Sequence, residues 1–136
     1  MYADILMAVK TLAETYAEPF TKIDHGAMPM GDSLAMYLGP GMADRRYMDK
    51  GGNWQITLAL NGKHKQLDVL LHAMSNIHKH LNLQTTYPQG DGWAIYEIAT
   101  SSPPSYLSRE QSDGNRWLYG SLLTVSFSTG GLKCLN

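Results

Sequence analysis

The sequence predicts an α+β fold, a mostly antiparallel sheet with two helices packed on one face. Two observations carry this reading. A run of period 2 from Trp54 to Leu60 gives way, across the short polar connection Asn61-Gly62-Lys63-His64, to a run of period 3.6 over residues 65–82. The order of elements is helix, three strands, helix, two strands, and it lets both helices cover the same face of one sheet.

The first helix is expected over residues 3–16. Ile5, Val9, Leu12 and Tyr16 form its apolar stripe, widened by Leu6 and Ala13, while Lys10 and Glu14 pair at i, i+4 on the other side. Pro19 ends it because proline has no N–H for the helix ladder. Residues 21–32 contain Gly26, Pro29 and Gly31 and read as an irregular loop. Residues 33–38 form a short strand with Leu34, Met36 and Leu38 on one face. Gly39-Pro40-Gly41 turns the chain, residues 45–49 form a second strand, and Lys50-Gly51-Gly52-Asn53 is a hairpin loop. In the central strand Trp54, Ile56, Leu58 and Leu60 alternate with Gln55, Thr57, Ala59 and Asn61, so one face is buried.

The second helix carries Leu67, Leu70, Leu71, Met74, Ile77 and Leu81 on one stripe and Asp68, His72, Asn76 and Lys79 opposite. Residues 83–92 form a loop. A strand over residues 93–100 is expected to break at Ser101-Ser102-Pro103-Pro104, and residues 106–116 read as a long, mobile, polar excursion. Trp117, Tyr119, Leu123, Val125 and Phe127 define the last strand.

The 136 residues fit one domain spanning 1–136. A chain of this length buries enough surface to fold without disulfides. A 43% hydrophobic and 17% charged composition is that of a soluble globular protein. The net charge of −1 and scattered Lys and Arg leave no basic excess for phosphate contacts, which argues against nucleic-acid binding by bulk electrostatics. One cysteine, Cys134, cannot form an internal disulfide and fits a reducing compartment. No run approaches the length that spans a bilayer, and the N-terminus lacks a basic leader. The expected location is therefore cytoplasmic.

No catalytic, cofactor or metal site is expected. His72 and His80 share a helix face but stand two turns, roughly 12 Å, apart, too far to bind one metal. His78 lies off that face, and His25 and His64 read as surface loop residues. Cys134 as a nucleophile would need a base and an electropositive setting, and it reads as an unremarkable terminal thiol. Asp44, Asp49, Asp91 and Asp113 read as turn residues. Glu97 shares strand parity with Trp93 and Ile95 but is read as facing solvent. Trp54, Trp93 and Trp117 fall at strand starts and read as core or rim residues, some of which could anchor a partner. Met28, Met30, Met36 and Met42 belong to a methionine-dense half suited to core filling or interfaces.

The same order of parts resembles the minor capsid and tail-terminator (tail-completion) family of long-tailed bacteriophages, over nearly the whole chain. An N-terminal helix and a short strand lead to Arg45-Arg46-Tyr47-Met48-Asp49-Lys50-Gly51-Gly52. The central strand from Trp54 to Leu60, the helix from Gln66 to Leu81, the strand Ile95 to Pro104 and a last strand beginning at Gly114 follow in the family's order. The resemblance implies no enzyme and no cofactor. It implies a homo-oligomeric ring, commonly hexameric, at the head-proximal end of the tail tube, where it stops tail polymerisation and joins tail to head. The implied partners are the tail tube protein and the head-completion connector. DNA passes through such a ring without sequence-specific contact. The implied location is the virion, after assembly in the host cytoplasm. Exposed segments 26–32, 39–44 and 101–116 are the expected contact regions, with Met42, Arg45, Arg46, Tyr106, Arg109 and Arg116 as the candidate interface residues. A small ligand-binding or regulatory domain, with a pocket lined by Trp54, Trp93 or Trp117, stays open, as does an enzyme using His25 or Glu97.

Overall fold

A computed structural model describes residues 2–39 and 53–129. The expected strand at residues 45–49, with Met42, Arg45, Arg46 and Cys134, lies outside them. The fold is α+β. Helix α1 (Tyr2–Ala17) is followed by β1 (Ile23–His25), β2 (Ser33–Leu38), β3 (Asn53–His64), α2 (Leu67–Asn82), β4 (Gln89–Gly90), β5 (Trp93–Glu110) and β6 (Arg116–Ser128). Among the described residues the sheet has six strands in the order β1-β2-β3-β6-β5-β4, antiparallel except for the β1–β2 pair.

The centre of the sheet is the β3–β6 ladder, where Ile56 meets Val125, Leu58 meets Leu123 and Leu60 meets Ser121. Even-numbered β3 residues and odd-numbered β6 residues face the helices, as a period of 2 requires. They join Leu34 and Met36 of β2, Trp93, Ile95 and Ile98 of β5, and both helices in one hydrophobic cluster. Gly62 continues this face close against α2: a Cβ there would stand 2.6 Å from Leu70 Cδ1 and 2.9 Å from Leu34 Cδ2.

Both helices end within two residues of the expected bounds, but their buried ridges differ in detail. In α1 the core takes Ile5, Val9, Ala13 and Ala17, a straight i, i+4 ridge, and leaves Tyr16 exposed. In α2 it takes Leu70, Ala73, Met74, Ile77, His78 and Leu81, with Leu67 and Leu71 only partly buried. Neither segment expected to be a loop is wholly irregular. Residues 21–32 contain β1, and residues 83–92 contain β4. A parallel pair ordinarily needs a dozen or more connecting residues. Residues 26–32 suffice here because β1 has three residues and a return of only roughly 10 Å. Gly26 (φ 117°) and Gly31 (φ 91°) supply the left-handed turns of that return.

The main departure from the sequence expectation is β5. It does not break at residues 101–104, and residues 106–110 are not a mobile excursion: one 18-residue strand pairs with β6 from Ala94 to Glu110. Two features admit Pro103-Pro104. β4 covers only Trp93 and Ala94 on the outer side, so the rest of β5 has no further strand beside it among the described residues. The prolines also fall in the register shift between Ser102↔Leu122 and Ser105↔Gly120, where no ladder hydrogen bond is needed. An earlier shift, between Ile95 and Glu97, resets the alternation so that Ile98 enters the core and Glu97 faces solvent.

Candidate interaction surface at the tip of the long hairpin

β5 and β6 form a hairpin closed by a 3₁₀ turn (Gln111–Asp113), with Gly114 and Asn115 left-handed after it. What fixes this tip is an ion-pair network. Lys63 Nζ donates to Asp113 Oδ2 at 2.7 Å and to the Pro29 carbonyl at 2.9 Å. The Gly31 N–H reaches both Asp113 oxygens at 3.0 Å. Arg116 donates to Asp113 Oδ1 at 3.2 Å and to Asp32 Oδ1 at 2.8 Å, and His64 lies 3.4 Å from Asp32. The hydrogen bond from Lys63, supported by the Gly31 N–H and the two cations, holds the Asp113 carboxyl below its ordinary pKa. For Asp32, burial pushes the pKa up, but the Arg116 hydrogen bond and the nearby charges outweigh it and the carboxyl sits below its ordinary value.

Beside this network lies an aromatic patch. Tyr106 is 54% exposed and packs edge-on against Trp117 and Tyr119, with centroids 6.2 and 5.9 Å apart. The Arg109 guanidinium stands 3.9 Å from the Trp117 ring centroid, where the ring's negative face attracts it. Nε and Nη2 of Arg109 both donate to the Asn115 carbonyl, at 3.2 and 3.0 Å. The patch is preorganised: three rings and a cation are held against one another by contacts within the chain.

A second feature is a groove of about 420 Å³ between the end of α1 and the first turns of α2. Phe20, Val69 and Ala73 line it with apolar surface, and Glu18, Asp68 and His72 bring polar groups to it. Asn76 donates to the Ala17 carbonyl and satisfies the end of α1. Two other pockets occupy the outward face of α1 around Met7 and Leu12 and the helix-free face of the sheet around Tyr37 and Asn61. Trp54, Trp93 and Trp117 line none of these three.

Further along the hairpin, α2 is pinned to it by His78, which is 5% exposed. Its Nε2 lies 2.7 Å from Ser121 Oγ and its Nδ1 2.7 Å from Thr100 Oγ1. Ser121 donates its hydroxyl proton to the Leu60 carbonyl, so it accepts from His78. The proton therefore sits on Nε2, and Nδ1 accepts from Thr100. Burial lowers the His78 pKa to about 4, so the ring is neutral.

Of the six candidate interface residues, the structure brings together Tyr106, Arg109 and Arg116 at this tip. Arg116 serves the ion-pair network and not an open surface. Met42, Arg45 and Arg46 lie outside the described residues. The Lys63–Asp113 pair and His78 were missed by sequence reasoning. In the sequence Asp113 reads as a turn residue, and no local spacing links it to Lys63. His78 did carry a signal, since it stands at i+4 from Met74 and beside Ile77 on the buried side of α2. His72 and Glu97 are exposed, as expected. Among the described residues no three His, Cys, Asp or Glu side chains gather to hold a metal, and no helix is long and apolar enough to cross a membrane.

No protein-family model matches this chain, and no curated protein matches it. Among solved structures it is similar to a chain of the virion of a native gene transfer agent (GTA) particle. The TM-score is 0.64 and the identity 12%, over 91% of this chain and 94% of that one. At that identity the likeness is one of fold.

Proposed function

We propose that this chain is a structural virion protein of the tail-terminator kind, without enzymatic activity or cofactor. In this reading the whole chain, residues 1–136, is one domain. Copies form a homo-oligomeric ring, of six in the simplest case, at the head-proximal end of a tail tube. The ring stops tail polymerisation, meets the head connector on its other side, and lets DNA pass through its centre. It is built in the host cytoplasm and ends in the particle. The observation that carries the reading is the fold shared, nearly end to end, with a chain of a gene transfer agent virion. The order of parts in the sequence supports it independently, and so does a rigid, exposed aromatic and cationic patch of the composition that protein interfaces favour.

The test is the mass and appearance of the purified protein. Rings in electron micrographs and a mass several times 15.1 kDa are expected. In particles made without the chain, overlong tails detached from heads are expected. Normal tails joined to heads in its absence overturn the reading.

A further inference from the structure

The groove between α1 and α2 brings two carboxylates, Glu18 and Asp68, together with apolar side chains. Among the described residues neither Glu18 nor Asp68 meets a cation. Asp68 has an ordinary reason to be there, because a carboxylate in the first turn of a helix favours its dipole. Glu18 has none. It sits just past the end of α1 at φ 47°, a position where glycine adopts the left-handed backbone freely and glutamate does not. Backbone strain held at an exposed residue points to a use for its side chain. Phe20, Val69 and Ala73 line the same groove, and Phe20 is 37% exposed with its ring edge-on to His64 at 4.9 Å. The ligand such a groove fits is a planar cation with an apolar companion.

This chain displays that combination itself. Arg109 has no carboxylate partner among the described residues, and its Nη1 is unengaged once Nε and Nη2 have bonded Asn115. It lies on Trp117 next to the exposed Tyr106 ring. A guanidinium held in one orientation forms paired hydrogen bonds to carboxylates with little further loss of freedom. We infer that the Tyr106–Arg109 patch of one copy docks into the Glu18–Asp68 groove of the next. Patch and groove are different surfaces, so the contact is head-to-tail, and such contacts close into rings when the rotation allows. The inference rests on the ring reading above and names its subunit contact.

Charge exchange tests it. Asp68→Arg and Arg109→Glu are each expected to weaken self-association about tenfold or more, and the two together to restore it, the coupling that close interfacial charge pairs give. Asp68→Asn and Arg109→Gln are milder versions should a reversal disturb folding, which circular dichroism melts would reveal. Glu18→Gly is expected to raise the melting temperature while lowering the assembled mass, an opposition that a purely structural role does not produce. Single variants that each self-associate as readily as the wild type overturn this contact and leave the ring reading standing. Wild-type protein that stays monomeric at its solubility limit overturns both.

Discussion

Lys63 and Asp113, fifty positions apart in sequence, meet at 2.7 Å with both side chains almost removed from water. Through them the end of β3, the return loop at residues 26–32 and the tip of the β5–β6 hairpin become one rigid corner. The aromatic patch stands on that corner.

Asp113→Ala leaves a buried ammonium unpaired and the Gly31 N–H without its acceptor. Such a loss is far more costly than the net worth of the intact pair. A clear drop in melting temperature is expected, with proteolytic nicking appearing at residues 26–32. Lys63→Met combined with Asp113→Leu is expected to recover part of the loss. An Asp113→Ala protein that melts like the wild type would show that the corner is held by other contacts. Deleting residues 106–115 would remove this anchor, so point variants are the better probe of assembly.

Stability is expected to fall on acidification in two steps. The folded-state pKa of His78, about 4, lies below its ordinary 6.5. Above pH 6.5 neither state binds the proton and stability is full. As pH falls from 6.5 toward 4, the unfolded chain takes up a proton that the folded chain refuses, and stability drops by up to about 1.4 kcal/mol per pH unit. Asp113 adds a later loss, as pH falls through its lowered pKa. Thermal melts from pH 7.5 to 4.5 check the first step. A His78→Gln protein is expected to lose its slope, and an unchanged slope would assign the effect elsewhere.

Gly62→Ala places a methyl group against the fully buried Leu70 and Leu34. Overpacking of this kind costs about 1–3 kcal/mol. Urea unfolding should show a lower midpoint with an unchanged slope, and a neutral result would mean that α2 rides outward without strain.

Relieving the left-handed strain at Glu18 by Glu18→Gly is expected to stabilise the monomer by roughly 0.5–1 kcal/mol. A denaturant titration at a concentration that keeps the protein monomeric isolates this term from any effect on assembly.

Where a periodic signal was intact, the sequence disclosed the structure. The alternation from Trp54 to Leu60 and the α2 ridge through Leu70, Met74, Ile77 and Leu81 could be read directly, because each residue's facing depends only on its near neighbours. Pro103-Pro104 misled because a proline argues against a strand interior but not against an unpaired edge or a bulge, and edge status is a property of the whole sheet. The bulge at Tyr96 hid Ile98 for the same reason, since the partner strand sets the register. The two surfaces proposed to meet in assembly were the least legible. Tyr106 and Arg109 could be marked as candidates by type, but their fixing by Trp117 and Asn115, and the groove at Glu18, arise from residues distant in sequence.

β5 departs from β6 register four times, and this gives the two halves of the molecule different tolerance to changes in chain length. A single added residue in β3 would turn Ile56, Leu58 and Leu60 out of the core together. An added residue between Thr100 and Ser108 would become one more bulge on an edge that already holds several, at little cost to the core. The outer hairpin can therefore lengthen, shorten or re-aim its aromatic tip while the helix-packed half stays constant, so the shape of the tip can change without redesigning the fold that carries it.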